Sequence, residues 1–436
     1  MSKCFFLLAF TATLNVLSQN KNSLLIKNIN LINVEKGIIT KDVNIYVKNG
    51  IITQIEDDEK KNKSLASDLV IDGKNKFLMP GYIDAYSLMP SVSNPIKYNE
   101  YFLLNLINGI TSQIVMKYDE NNKFYRDSIN TNKIVGTNLF LCQPAIKSFT
   151  SYESMSKSFD DFKLKGYNQI KYVEGLTSNQ FDSIATILEN KKINFYGRIH
   201  NAGLGENIKV GMKNIYHVHE FDVILEKDSH SVYKLIPEIC KKNIFITPTL
   251  FFHNREWDQY SKDELYSFPE LKFVQKYITN FWINEYNKYD KSFIQAKNEQ
   301  YTAEKKDFRR RLDNYSLMLQ KMDQCHAKFL IGSDEVSFGV IGFSFHREIQ
   351  LFKNANISNL SILKAITINA AESIGESSKI GSVKVNMMAD MVILNSNPLD
   401  NTANLKDINA VVKFGNYYNI NELQELLNKS ITNDRK

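Results

Sequence analysis

Cysteine, histidine, tryptophan and proline are all scarce in this chain. Of 436 residues, 4 are Cys, 7 His, 2 Trp and 8 Pro. Cys4 lies in an apolar N-terminal run, and Cys142, Cys240 and Cys325 follow at spacings that match no metal motif. So sparse and odd a set argues against a disulfide framework, and all three are expected to be core thiols. A strong excess of one charge is missing too. Lys and Arg number 54 against 48 Asp and Glu, and the net charge of +6 comes from lysines spread along the chain, with no basic block. A nucleic-acid surface is therefore not expected. No apolar run after residue 17 is long enough to cross a membrane, and there is no internal repeat.

What is present is an ordinary globular composition, 43% hydrophobic and 23% charged. The length suits one large α/β domain plus a smaller one. The chain opens with a short basic start, Met1-Ser2-Lys3, then a mostly apolar stretch from Cys4 to Leu17, then polar Ser18-Gln19-Asn20. That is the pattern of a secretory signal peptide over residues 1–19; the competing reading is a buried N-terminal strand. On the first reading the mature chain works in a periplasm or outside the cell.

Residues 20–79 read as a small all-β module. Val43 to Val47 alternates into Lys48-Asn49-Gly50, a hairpin signal. From 80 to 377 short apolar runs alternate with helical stretches. Tyr82–Tyr86, Ser112–Met116, Leu139–Cys142, Gln169–Val173, Ile193–Gly197, Ile215–Val218, Ile244–Thr247 and Lys328–Ile331 predict eight strands. Eight strands separated by helices predict an α/β fold, a (β/α)8 TIM barrel. The seventh connection, 248–327, is an insertion with two apolar stripes: Val274, Tyr277, Ile278 and Phe281, then Leu312, Tyr315, Leu319 and Met322. It reads either as a lid over the site or as helices packed on the barrel wall. Residues 378–420 return to β-rich text, predicting a composite β-sandwich domain built from both chain ends, and 421–436 form a polar tail, either a helix or a frayed end.

The stretch Phe77-Leu-Met-Pro-Gly-Tyr-Ile-Asp-Ala-Tyr-Ser-Leu88 carries the functional argument. It resembles the first barrel strand of the amidohydrolase superfamily, L-x-P-G-x-I-D-x-H-x-H, with Tyr86 and Leu88 where the two His stand. Further motifs follow in order: Asn108-Gly-Ile-Thr111, Gln169-Ile-Lys171, Gly332-Ser-Asp334, Gly342 to Glu348, Ala365 to Ala371, and Asn397-Pro-Leu399. Together they resemble the secreted imidazolonepropionase-like and dipeptidase-like branch, which implies hydrolysis of carbon–nitrogen bonds by a metal-bound water.

The resemblance implies metal ligands at six positions. Here three are replaced: Tyr86, Leu88 and, on the fifth strand, Arg198. Three match: Lys171, His217 and Asp334, the last also the family's catalytic acid–base group. Two cationic side chains, Lys171 and Arg198, stand where cations would bind, so Asp334 is expected to pair with one of them and no cofactor is expected. The opposing reading keeps one divalent metal such as zinc on Lys171, His217 and Asp334, with His219 and Asp222 near by, in an active amidase or dipeptidase. His219 and His346 are candidate ligand contacts, His346 placed at the site end of the barrel; His200 reads as a loop residue. Asp84 is expected to fix the end of the first strand. The sequence thus points to a metal-poor member of the family, a pseudoenzyme, that binds a small anionic ligand or partners an active homologue.

Overall fold

The computed structural model describes residues 22–57, 67–90, 96–117, 119–146, 151–252, 263, 266–295, 298–335 and 339–433. The expected signal peptide lies outside these residues, as do His253, Trp257 and Tyr260. Among the described residues no helix is long and apolar enough to cross a membrane.

Two sheets organise the chain. The first is built from both chain ends: β1 (Ser23–Asn33), β2 (Ile38–Lys48), β3 (Ile51–Asp57), β4 (Leu69–Asp72), β5 (Phe77–Pro80), β14 (Met391–Leu394), β15 (Ile408–Lys413) and β16 (Asn416–Asn419). Its order is β16-β15-β14-β5-β1-β2-β3, with β4 also on β1. On β2, Val43, Ile45 and Val47 are buried and alternate with more exposed residues, the period of a half-buried strand. Asn49 and Gly50 both take positive φ, 51° and 77°, as a two-residue hairpin turn requires. Asn28, at φ 57°, marks a break in β1, whose first half pairs with β4 and whose second half pairs with β5.

The second sheet is the barrel. Its strands are β6 (Tyr82–Ser87), β7 (Ile110–Val115), β8 (Asn138–Ile146), β9 (Tyr167–Tyr172), β10 (Phe195–Gly197), β11 (Asn214–Tyr216), β12 (Phe245–Thr247) and β13 (Lys328–Phe329), paired in that order and all parallel. Each falls within one of the eight predicted runs or overlaps it. Backbone bonds close the ring: Ala85 N–H donates to Ile331 O at 2.8 Å, and Asp334 N–H to Tyr86 O at 2.9 Å. Gly332 permits this approach, since a Cβ there would stand 2.3 Å from Cβ of Tyr86.

The helices are α1 (Tyr98–Ile107), α2 (Glu120–Asn130), α3 (Tyr152–Ser158), α4 (Ser178–Asn190), α5 (Leu204–Lys209), α6 (Asp222–Lys241), α7 (Lys276–Gln295), α8 (Asn298–Gln324), α9 (Phe343–Asn354), α10 (Asn359–Ala365), α11 (Ile368–Ser373) and α12 (Ile420–Asn433). The insertion contributes α7 and α8. On α8, Tyr315, Met318, Leu319 and Met322 are buried in the main core, so this helix packs on the barrel wall. Tyr315 Oη donates to Asp222 on α6, and Arg311 Nη1 lies 3.8 Å from the same carboxylate. On α7 the expected stripe divides. Ile278 and Trp282 turn inward, one helical turn apart, while Tyr277 and Phe281 are exposed at 55% and 48%.

One expectation is corrected here. Cys240 and Cys325 form a disulfide, Cα atoms 6.2 Å apart, tying α6 to the end of α8; only Cys142 remains a core thiol. The pairing joins positions 85 residues apart, which spacing rules for local motifs do not address. The polar tail is helix α12, whose Leu423 and Leu427 are buried at i and i+4.

A buried polar knot joins the two sheets. Lys413 Nζ donates to Asp390 Oδ2 at 2.9 Å and to Asn138 Oδ1 at 2.8 Å, linking β15 to the start of β8. Burial pulls the lysine's proton affinity down, and Asp390 opposes that.

Candidate active site at the barrel mouth

Active sites of such barrels sit where the strands end. Four of the predicted residues meet there. Lys171 Nζ lies 3.4 Å from Tyr86 Oη and 5.3 Å from the centroid of the Tyr86 ring. The same ring meets His217, centroid to centroid 5.0 Å, in an edge contact. His217 Nδ1 shares a hydrogen bond of 2.8 Å with Thr249 Oγ1 and lies 3.7 Å from Asp334 Oδ2. Tyr86, 6% exposed, thus packs against two of the retained ligand positions, Lys171 and His217.

The backbone around these groups is constrained. Just beyond β11, β12 and β13, His217, Thr249 and Asp334 take φ of 67°, 50° and 40°. Left-handed geometry is unusual for non-glycine residues, above all for β-branched Thr, and clusters at functional sites.

The electrostatics follow from burial. It pushes the Tyr86 phenol well above its usual range, and the nearby Asp334 charge adds to this. It lowers the Lys171 ammonium, with Cys142 and Asp334 acting the other way and Arg198 in the same direction. Of the two cations expected to pair with Asp334, Lys171 and Arg198, Arg198 turns elsewhere. Its Nε lies 3.5 Å from Glu220 Oε1, and His219 Nε2 approaches the same oxygen at 3.2 Å. The reason is positional: Arg198 follows β10 and is 37% exposed at its side chain, so it reaches the rim, whereas Asp334 is buried beside His217. A hollow of about 500 Å³ adjoins this rim, lined by Gly175, Leu176, Thr177 and Ser178 after β9 and by His200, Asn201 and Ala202 after β10.

Beneath the mouth lie carboxyl groups that the sequence reading passed over or underweighted. Asp84 accepts from Ser333 N–H at 3.0 Å, from the Ser333 hydroxyl and from Tyr86 N–H at 3.1 Å, so it fixes the first strand to the eighth as expected. Glu335 accepts from Leu88 N–H at 3.1 Å, and burial with the neighbouring Asp84 pushes its carboxyl up. Glu348 is buried as well. Nothing in its local sequence separates a buried Glu from a solvated one.

The family model for the amidohydrolase family matches residues 106–420. The chain belongs to the amidohydrolase family. A 5-methylthioadenosine/S-adenosylhomocysteine deaminase from Caldanaerobacter subterraneus subsp. tengcongensis is 38% identical over 65 residues, 15% of this chain and 14% of that protein. The chain thus matches only a small part of that curated relative's length. Among solved structures, bottromycin amidohydrolase aligns with TM-score 0.73 at 17% identity, over 94% of this chain and 91% of that one. A Xaa-Pro dipeptidase with bound methionine in its active site aligns with TM-score 0.66 at 15% identity, over 91% and 100%. These likenesses establish the shared fold.

Amidohydrolases usually hold divalent metal, and the donor set here does not fit a family metal pair. The first strand offers a phenol held far above its usual range and a leucine; the fifth offers a guanidinium. Among the described residues no three His, Cys, Asp or Glu side chains come together as a metal site would need. The His217 Nδ1 nitrogen already faces Thr249 and Asp334.

The remaining candidates fall elsewhere. His346 is not at the mouth. Its Nε2 donates to Asn108 O at 3.0 Å and its ring stands edge-on to Tyr82, both at the start of the first two strands. Burial, with Lys406 near by, pushes it down to about 3, so it is neutral. His200 is a loop residue: Nε2 bonds Leu176 O at 2.9 Å and the ring stacks on Phe181. Asp222 faces the insertion, toward Arg311 and Tyr315.

Proposed function

We propose that this amidohydrolase is a metal-poor member that binds a small carboxylate ligand at the barrel mouth in place of hydrolysing a carbon–nitrogen bond. One observation carries the reading: the Tyr86 side chain packs against both Lys171 and His217, two of the three retained ligand positions. An ion bridging those positions would have to displace it.

The ligand class rests on the two cations. Among the described residues, the polar contact of the Lys171 ammonium is the 3.4 Å approach to Tyr86 Oη, and no carboxylate lies within ion-pair distance. A largely buried cation so weakly satisfied favours an anion. Arg198, on the neighbouring strand, contacts Glu220 through Nε at 3.5 Å, beyond hydrogen-bond strength. The bound methionine of the dipeptidase neighbour supports a ligand of amino-acid size. The Cys240–Cys325 disulfide supports a periplasmic or extracellular setting, in line with the apolar N-terminus.

Calorimetry with N-acetylglycine and L-methionine, against N-acetylglycinamide as the uncharged control, tests the reading. The carboxylates should bind and the amide should not. Lys171→Met should weaken binding by at least about tenfold, the loss of one charge-assisted bond. The second reading, a single-metal amidase or dipeptidase, is favoured by the 3.7 Å approach of His217 to Asp334. One equivalent of zinc in protein from zinc-supplemented cells, with chelator-sensitive hydrolysis lost in Asp334→Asn, would establish it and overturn the first.

A further inference from the structure

The exit of the seventh strand is gripped from outside the barrel. Glu348 lies on α9 and is fully buried. Its Oε1 accepts the backbone N–H of Leu250 at 2.8 Å, and its Oε2 that of Phe251 at 2.5 Å. These residues directly follow Thr249, held at φ 50°. A β-branched residue avoids that conformation and keeps it only where its surroundings over-determine it. Thr249 in turn places its hydroxyl 2.8 Å from His217 Nδ1. The backbone on either side is tied to the same segment: His217 N–H donates to Thr247 O at 2.9 Å, and Val218 N–H to Pro248 O at 2.8 Å.

We propose that Glu348 is a positioning residue for His217. By holding two consecutive N–H groups it fixes the backbone just after Thr249, which keeps the threonine left-handed and its hydroxyl on the imidazole. Without that grip Thr249 relaxes to negative φ and its hydroxyl leaves His217. The effect passes from a helix outside the barrel to the mouth through three residues, and it does not depend on which ligand the mouth takes.

The test is the side-chain ¹⁵N spectrum of histidine-labelled full-length protein, with His217 assigned by its loss in His217→Gln. Thr249→Val keeps the β-branched shape and removes the hydroxyl, so it should shift the His217 Nδ1 resonance whichever partner donates. Glu348→Gln presents an NH2 group to one of the two N–H donors and should shift that resonance in the same direction. The double variant should add nothing further. Gln350→Ala, on the exposed face of the same helix, should leave it in place. A folded Glu348→Gln protein with an unmoved His217 resonance overturns the proposal. If that variant does not fold, amide exchange in the unaltered protein decides. Leu250 and Phe251 must be among the slow amides, and exchange as fast as in exposed loops overturns the proposal equally.

Discussion

Glu348 sets a pH dependence of stability that one substitution should isolate. Burial pushes its carboxyl from 4.5 up to about 8; the two N–H donors pull the other way, and the Asp334 and Asp84 charges add to the rise. The folded state therefore holds a proton between those values that the unfolded chain has released. Stability is fully present below the unfolded value near 4.5, falls as pH rises, and levels off above about 8. A tenfold change in proton affinity is worth about 1.36 kcal/mol, so this one group accounts for a loss of about 5 kcal/mol between pH 4.5 and pH 9. Glu348→Gln cannot titrate. It leaves one N–H facing an amide NH2, at a cost of about 1–3 kcal/mol at every pH. The variant should thus be less stable than the parent at pH 4.5 and more stable at pH 9, the two curves crossing at about pH 6. Glu335 titrates in both proteins and drops out of the difference, as does Asp84 apart from its repulsion with Glu348. Urea unfolding across this range, with the disulfide kept oxidised, measures it. A stability difference independent of pH would refute the reasoning.

Three further outcomes are expected. Replacing Cys240 and Cys325 by Ser opens a loop of 85 residues and should cost about 4–5 kcal/mol in urea unfolding, while reducing agent should have no effect on the double variant. Lys413→Met leaves Asp390 and Asn138 buried without their cation at the junction of the two sheets and should cost about 3–5 kcal/mol, with Asp390→Asn in the same chain recovering part of it. Tyr86→His with Leu88→His restores the family's first-strand pair, and adding Arg198→His restores the fifth-strand ligand. Metal analysis by mass spectrometry should find bound zinc rising from the parent through the double to the triple variant, and equal zinc in all three would remove Tyr86 as the obstacle.

Much of this architecture was legible because barrel strands announce themselves locally. Short apolar runs such as Tyr82–Tyr86 and Ile244–Thr247, each bracketed by turns and helical text, need only their own neighbours to be recognised. Partnerships between distant residues were not legible. Cys240 meets Cys325 because α6 and α8 pack side by side, which depends on where a long insertion folds back. His346 follows the eighth strand, which suggested the mouth, yet its ring turns to Asn108 at the opposite end of the barrel. Asp84, Glu335 and Glu348 are acids in ordinary sequence surroundings, and acids are normally exposed; only the packed fold shows three of them inside.

The mouth itself shows why listing lost ligands understates the change. Substituting Tyr86 and Leu88 could have left a cavity still shaped for an ion on Lys171, His217 and Asp334. Instead the Tyr86 side chain stands in contact with both Lys171 and His217. The cation at the fifth position did not move inward to replace the metal: Arg198 follows β10 and reaches the rim, beside Glu220. The inner charge left by the substitutions is thus one ammonium, on Lys171, and not a guanidinium–ammonium pair around Asp334. On the proposed reading, Tyr86 would stand where the metal would bind and leave Lys171 to an anion, with the barrel scaffold, including the strained exits at His217, Thr249 and Asp334, still in place.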